Sequence, residues 1–591
     1  MPSSDINSIL SNARDTVYPE QIWWFMASFI ALLVLFHFIK IIQQWRSPSL
    51  PRDPEKNNNL ELAPHRRRSI SRLPIAIYET ITIILFRYTV SFGYSRRVNW
   101  AEIAITMHFL TPVAGFDSDP GGLKIDPNYY ADRAGNAVAS QIPLLVILSG
   151  KNNLLSIITG ISFEKLHILH RAIARFSIVL ILAHAGGRIS LGLTGSDVIT
   201  EPWLRTGIAA FSAWVIIAVM FIKPFRSKYY NIFVIVHLVL ALMITIGLYF
   251  HIQGAAGYQN YIVPAFVFWG FDRVTRIARV FWNNRGFSPS PIKIEILSPN
   301  TLKLSINQWM SWKAGQSAYL TIPKISMMPF EAHPFTISTI PTMEKENNNE
   351  PNELVFIVKV RNGFTKRLYH TVSKAQELNE EFLLNAFVDG PYGSPPELDM
   401  FSDIVIITGG SGISFGLPLL GEIVRNKETG RSRCSSVLLV WAVATPDFNT
   451  FTWILESFNK ILTNAPSSLR VRIHLHATGP TSSISSVNEE ESKRATPEIE
   501  EKSPMTPTIE DRMSIVSGRP NIASLLEEEL SSTENALAVN VAGPFSMVED
   551  VRKALRFNLI TPKAKLHGQP RVQLHTEPYE IAVRAYLFMP L

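Results

Sequence analysis

The chain has 591 residues, 47% of them hydrophobic, with 56 Lys and Arg against 49 Asp and Glu for a formal charge of +7, and one cysteine. That length calls for several domains, and the lone Cys434 excludes an internal disulfide framework and any multi-cysteine zinc or iron–sulfur site. The basic excess forms no stripe interleaved with aromatics, so nucleic acid is excluded as a partner; it clusters beside apolar runs, where it sets membrane topology.

The apolar residues crowd into the first 280 positions, which read as membrane, with the remainder soluble and globular. Residues 21–42 are long enough to span and lack the basic n-region and cleavage site of a signal peptide, so they read as a retained anchor. A basic linker follows (43–73, with Arg46, Arg52, Lys56, Arg66, Arg67, Arg68 and Arg72), and Arg96 and Arg97 lie just beyond the next apolar segment, 75–94. Basic flanks on both sides predict a helix lying on the inner membrane surface there. Further spans are predicted at 99–116, 133–150, 167–187, 204–222, 230–252 and 259–281. Lys223, Arg226 and Lys228 follow one span, and Arg273, Arg276 and Arg279 close the last. The positive-inside rule puts these groups in the cytosol, giving seven spans, an outside N-terminus, an inside C-terminal region and an external acidic loop at 117–132.

From about residue 286 the pattern changes to short alternating runs, IKIEIL, TLKLSI, SAYLTI and LVFIVKV, which predict an antiparallel barrel. Then DIVIITGGSGIS, SSVLLVWAV, VRIHLHAT and ALAVNVAGP supply four apolar strands separated by helix-length segments, the signature of an α/β domain with a parallel sheet. Residues 480–516, rich in Ser, Thr, Pro and Glu, read as a disordered insertion with sites open to phosphorylation. The expected domains are thus 1–73, 74–284, 285–398 and 399–591.

Two membrane segments carry histidines at matched intervals: His170 and His184 are 14 residues apart, as are His237 and His251. On an α-helix that spacing falls about 40° short of four turns and covers roughly 21 Å, one face at two depths. Both helices are expected to run from inside to outside, which pairs His170 with His237 and His184 with His251, each pair supplying two axial nitrogens to one haem iron. His167 lies about 100° from the face of His184 and is expected at the cytosolic interface. His37 and His108 read as structural.

The stretches DRAGNAVASQIPLL, LHILHRAIAR, the second histidine helix, HPFTIST, VRNGFTKRL, DGPYG, GGSGIS, SGRP and AGP, in that order, resemble the ferric reductase and NADPH oxidase superfamily, and within it the fungal metalloreductases. The resemblance runs from about residue 75 onward. It implies a multidomain membrane protein: an all-α transmembrane haem bundle, then a cytosolic ferredoxin-reductase-like unit of an antiparallel FAD barrel and an α/β NADPH domain. His333, Pro334, Phe335, Thr336 and Ser338 would line the flavin, and Lys359, Arg361, Gly363 and Thr365 would meet its phosphates. Read from the residues alone, VRNGFT could be a charged hairpin and DGPYG a turn at the barrel exit.

GGSGIS (Gly409, Gly410, Ser411, Gly412, Ile413, Ser414) follows a strand and precedes a helix, the context in which such a loop cradles a pyrophosphate. By resemblance Gly518 and Arg519 would meet the adenosine 2′-phosphate of NADPH, and Gly543 and Pro544 its nicotinamide end. The chain departs from the family pattern at Ala542, where a cysteine is usual, at Phe415 in place of a proline, and beyond Tyr579, where the usual C-terminal aromatic is followed by further residues.

The implied activity is electron transfer from cytosolic NADPH through FAD and two b-type haems to extracytoplasmic ferric or cupric chelates, in a plasma or vacuolar membrane, feeding an iron permease or oxidase system. A superoxide-producing NADPH oxidase, or a haem-binding partner subunit without dehydrogenase activity, would use the same motifs.

Overall fold

A computed structural model describes residues 23–24, 26–39, 41–42, 89–92, 96–99, 127–161, 163–193, 198–222, 230–255, 259–326, 331–341, 350–378, 383–443, 449–478, 512–533, 536–555 and 571–578. The chain divides into two compact units, one ending at Ala278 and the other beginning at Arg279.

In the first unit, strands β1 (Thr89–Phe92) and β2 (Arg96–Asn99) pair antiparallel. The described end of the segment expected as a surface helix is therefore extended: Thr89 and Val90 are β-branched and favour a strand. The predicted span at 99–116 lies outside the described residues past Asn99. Helices α1 (Pro127–Ser149), α2 (Leu154–Thr159), α3 (Phe163–Leu191), α4 (Pro202–Met220), α5 (Tyr230–Ala255) and α6 (Val263–Asn283) follow. Pro202 begins α4 at a position where its missing N–H costs nothing, and Asn153 caps α2 through its side-chain oxygen.

Among the described residues three helical stretches are long and apolar enough to cross a membrane, Lys165–Leu191, Pro202–Met220 and Ile232–Gly254. They match three of the seven predicted spans. Helix α1 carries Asp132 and Arg133, and α6 carries Asp272, Arg273, Arg276 and Arg279, which lowers their apolarity. In the first predicted span, Met26–Ile39 is a shorter apolar helix. The side chains that α3 to α5 expose are large and apolar, among them Leu182, Val219, Val239 and Phe250, a face suited to lipid rather than water. Inside, α3 packs along α1 and α5 along α4.

The second unit opens with a six-stranded antiparallel sheet of β3 (Ser290–Ser298), β4 (Thr301–Gln308), β5 (Ser317–Thr321), β6 (His333–Thr336), β7 (Asn352–Lys359) and β8 (Leu384–Tyr392), ordered β6-β5-β8-β3-β4-β7. A bridge from Ile337 to Phe356 on β7 joins the two edges and closes the barrel. In β4 burial alternates as Leu302, Leu304 and Ile306 turn inward. DGPYG is not a free turn: β8 runs through it to Tyr392, opposite Ser317 and Tyr319 of β5. Helix α7 (Phe364–Glu377) covers one end, burying Phe364, Leu368 and Val372. Asn284 exchanges hydrogen bonds with both the N–H and the C=O of Val388, tying the start of this unit to β8.

The α/β part contains β9 (Asp403–Gly409), α8 (Ile413–Glu428), β10 (Ser436–Val443), α9 (Asn449–Thr463), β11 (Arg470–Ala477), β12 (Met513–Ser517), α10 (Ile522–Ser532), β13 (Ala536–Gly543), α11 (Phe545–Ala554) and β14 (Arg571–Pro578). All pairings are parallel, in the order β12-β11-β10-β9-β13-β14. The continuous apolar run of β9 is buried on both faces, as a sheet sandwiched by helices requires. Two strands exceed the four predicted. β12 lies at the end of the segment expected to be disordered: Met513–Ser517 pairs with β11, while 479–511 lies outside the described residues. β14 ends at Pro578, so Tyr579 is also outside them.

Candidate functional site

The helical spacing argument places His170 and His184 on one face of α3, and both do address one neighbour. Nδ1 of His184 lies 2.8 Å from the carbonyl oxygen of Ala131, and Nδ1 of His170 lies 2.9 Å from that of Leu145, both on α1. On α5, Nδ1 of His251 lies 3.0 Å from the carbonyl oxygen of Trp203 at the start of α4. A carbonyl only accepts, so each of these nitrogens carries the proton and each Nε2 keeps its lone pair for a ligand. Metal-binding histidines are commonly oriented by such a second hydrogen bond.

Glycine makes the approach possible. A Cβ at Gly135 would stand 2.8 Å from Nδ1 of His184, and one at Gly207 would stand 2.4 Å from Nδ1 of His251. The stretch DRAGNAVASQIPLL, with Ala131 just before it, thereby acquires a physical role: Ala131 and Leu145 supply acceptors, Gly135 supplies room, and Asp132 takes both Nε and Nη2 of Arg188 at 2.8 Å. Arg175 instead lies over the Phe221 ring, 5.4 Å from its centre.

The rings of His184 and His251 are 6.2 Å apart between centroids and inclined at 76°. Two imidazoles bonded to one metal from opposite sides, at about 2.0–2.1 Å per nitrogen, would have ring centres roughly 6 Å apart; the pair fits one haem iron. His237 lies within electrostatic reach of His170. His167, expected at an interface, is stacked on His170 with centroids 5.4 Å apart and planes 8° from parallel. The reason is local: three residues from His170, it is only about 60° from that side chain around the helix, whatever its angle to His184. His37 adjoins Gly160, and His108 lies outside the described residues.

In the barrel, VRNGFT proves to be a strand–turn–helix junction and not a hairpin. The N–H of Arg361 donates to Oγ1 of Thr365, whose hydroxyl donates back to the Arg361 carbonyl, at 2.8 and 2.9 Å. Gly363, at φ +90°, is the N-cap of α7 with open space around it, and Lys359 ends β7 beside it. The junction offers unpaired helix N–H groups and two cations to a phosphate. His333 faces inward: it stacks on Phe364 at 4.1 Å, and its Nε2 lies 3.0 Å from Glu331, which also holds Arg367 at 2.9 Å. It thus braces the turn into α7. Along β6, Pro334 and Thr336 point to the side opposite His333 and Phe335 and pair with Tyr319 and Ser317. Ser338 is buried, with its N–H on the Val355 carbonyl.

In the α/β part, Gly410–Gly412 forms a tight turn between β9 and α8, with Ile413 and Ser414 opening the helix. Gly409 touches Pro544 and Met547, and a Cβ at Gly543 would fall 2.8 Å from Sδ of Met547 and 3.3 Å from the Gly409 nitrogen. The two predicted glycine loops are therefore neighbours. They sit at the carboxyl ends of β9 and β13, where the sheet order reverses, the place where such sheets bind nucleotides. Gly518 and Arg519 follow β12 farther along the same sheet.

Three residues here escaped the sequence reading. Trp441 donates its indole N–H to the Gly410 carbonyl at 2.9 Å, holding the loop from beneath. Gly416 lets α8 close on β9, because a Cβ there would meet Thr408 at 2.6 Å. His476 donates from Nδ1 to the Gly518 carbonyl at 3.2 Å, and burial holds its pKa below the usual imidazole value. Trp441 and His476 looked like ordinary strand residues. Gly416 carries a signal as one more glycine, four residues beyond the GGSG run. Ala542 is wholly buried opposite Thr408, and Phe415 stacks on His575 at 5.6 Å.

A helical unit with membrane-length helices, an antiparallel barrel and a parallel sheet with a glycine loop at its switch point follow one another along the chain. Three family models match in that order: the ferric-reductase-like transmembrane component over 134–248, an FAD-binding domain over 287–396 and the ferric reductase NAD-binding domain over 401–556. The chain belongs to the ferric reductase family. It is 26% identical over 459 residues to ferric/cupric reductase transmembrane component 1 of Candida albicans, covering 75% of this chain and 57% of that one. It is 26% identical over 472 residues to ferric reductase transmembrane component 6 of Saccharomyces cerevisiae, covering 76% of this chain and 60% of that one. The chain thus spans less than two thirds of the length of these relatives.

Proposed function

We propose that this protein carries electrons across a membrane, from NADPH through FAD and two b-type haems to ferric or cupric chelates on the far side, in the service of metal uptake. The observation that carries the reading is the set of histidines at two depths whose Nδ1 protons are committed to backbone carbonyls, leaving Nε2 for iron. FAD and haem, when bound, supply the redox chemistry: a two-electron acceptor for hydride and one-electron carriers across the lipid.

The residues do the holding. His170 with His237 and His184 with His251 would fix two haems about 21 Å apart along the helix axes. Lys359, Arg361 and the α7 N-terminus would take the FAD phosphates, and Pro334 and Thr336 would flank the flavin. The Gly409–Gly412 loop and Gly543–Pro544 would receive the pyrophosphate and nicotinamide of NADPH, with Arg519 toward its 2′-phosphate. The basic flanks and the acidic loop at 117–132 support an arrangement with the reductase unit in the cytosol and the N-terminus outside, in the plasma membrane.

In membranes containing the full chain, NADPH should reduce chelated Fe(III), and chelated Cu(II), without stoichiometric superoxide. Superoxide with no metal reduction would overturn the assigned acceptor. No NADPH-dependent haem reduction despite bound FAD would leave a partner subunit in place of an enzyme. Normal haem spectra in both His170→Ala and His184→Ala would remove the ligand assignment.

A further inference from the structure

The four histidine positions are not equivalent. Ala131 and Leu145, the acceptors for His184 and His170, are 14 residues apart on α1, the same interval that separates the two histidines. Trp203 on α4 serves His251. Fourteen residues onward from Trp203 is Ile217, and fourteen residues back from His251 is His237. The repeat assigns the Ile217 carbonyl to His237, yet Nδ1 of His237 is buried with no hydrogen-bond partner among the described residues.

The residue four positions after each acceptor accounts for the difference. It is Gly135 after Ala131, Ser149 after Leu145, and Gly207 after Trp203. At the two glycines a Cβ would stand 2.8 and 2.4 Å from the imidazole that makes the bond, and the third position carries nothing larger than a serine. After Ile217 the residue is Phe221, at the C-cap of α4, with its own N–H 2.9 Å from the Ile217 carbonyl. Its ring is held in place, with the Arg175 guanidinium 5.4 Å above it and Phe233 6.3 Å away. Phe233 in turn lies 5.6 Å from His237. By its place in the repeat, Phe221 carries an aromatic ring where its counterparts carry Gly135, Ser149 and Gly207, and Phe233 links that ring to His237.

We propose that Phe221 is a positioning residue that sets the two haem sites apart, by denying His237 the Nδ1–H to carbonyl bond that His170, His184 and His251 make. Such a bond makes an imidazole a more basic ligand and stabilises ferric iron. A haem held by His170 and His237 would therefore have a higher reduction potential than one held with every Nδ1 bond made. This inference rests on the haem reading above.

The test is a spectroelectrochemical titration of the purified full-length protein with its haems bound, for wild type, Phe221→Gly, Phe221→Ser and Phe221→Leu. Opening the path with Gly or Ser should move one of the two midpoints to more negative potential and leave the other in place. The moving midpoint should be the one lost in His237→Ala, with a matching shift in one low-spin ferric EPR signal. Leu still blocks the carbonyl but lacks the ring, so its midpoints should stay at the wild-type values. Two intact haems with unmoved midpoints in both Phe221→Gly and Phe221→Ser would overturn the inference, as would an equal shift in Phe221→Leu, which would trace the effect to lost ring packing. A preparation without bis-histidine haem spectra in the wild type would instead overturn the haem reading itself.

Discussion

In α3 and α5 a side chain reaches toward the ligand position and the backbone of a neighbouring helix steadies it: His184 is held by the Ala131 carbonyl and His251 by that of Trp203. At the β9–α8 loop the parts are exchanged. There the backbone of Gly409–Gly412 is the part proposed to meet the nucleotide, and a side chain, the indole of Trp441, steadies it from behind. Glycine serves both arrangements in different ways, as a space for an imidazole at Gly135 and Gly207 and as a tight approach between loops at Gly409 and Gly543. In lipid the backbone is committed to its own helix, so only side chains are available to reach out; at the end of a parallel strand the N–H groups are open, and side chains can retire to support.

The comparison can be broken most severely at the ligands. His184→Ala or His251→Ala should remove one of two haems, read as about half the haem absorbance per FAD, and abolish reduction of external acceptors. Next in size, Gly207→Ala puts a methyl 2.4 Å from Nδ1 of His251, and haem affinity at that site should fall about 10- to 100-fold, measured by haem retention during dilution. On the other side, Trp441→Phe removes one hydrogen bond to the Gly410 carbonyl and should cost about 0.5–1.5 kcal/mol, seen as a several-fold rise in KM for NADPH with haem spectra unchanged.

The smallest effect concerns pH. Burial holds His474 and His476 below the usual 6.5, so the unfolded chain binds protons there before the folded one does. Their contribution is complete above pH 6.5 and is lost as pH falls through the lowered folded values. Thermal unfolding of the nucleotide-binding part should accordingly shift down on acidification below about pH 6.5, and His476→Gln should flatten that dependence. An unchanged slope in that variant would show that other groups carry it.

What could be read without coordinates follows from where the information lies. The interval of 14 residues brings two histidines to one helix face by geometry alone, and the strand–glycine–helix order of DIVIITGGSGIS places a phosphate loop in the same way. The acceptors are a different matter. Ala131, Leu145 and Trp203 contribute only a carbonyl, which every residue has, so no residue type marks them. The stacking of His167 on His170 follows from their own spacing of three residues, which an angle taken from His184 does not reveal. β12 was missed because its five residues, MSIVS, are largely exposed at the sheet edge and lack the apolar run of β9. DGPYG read as a turn because Gly and Pro usually make one, whereas at the end of β8 they accommodate Ala318 pressed against Gly390.

The lone Cys434 has a practical side. It is wholly buried, its Sγ lies 3.3 Å from the Ser436 carbonyl, and burial pushes its thiol up to about 12. A thiol that stays protonated and enclosed at neutral pH does not react with maleimides or iodoacetamide. The native chain should therefore take up no label until it unfolds. Any cysteine introduced on its surface would then be the sole point of attachment for a spin label or fluorophore, with the natural residue left in place.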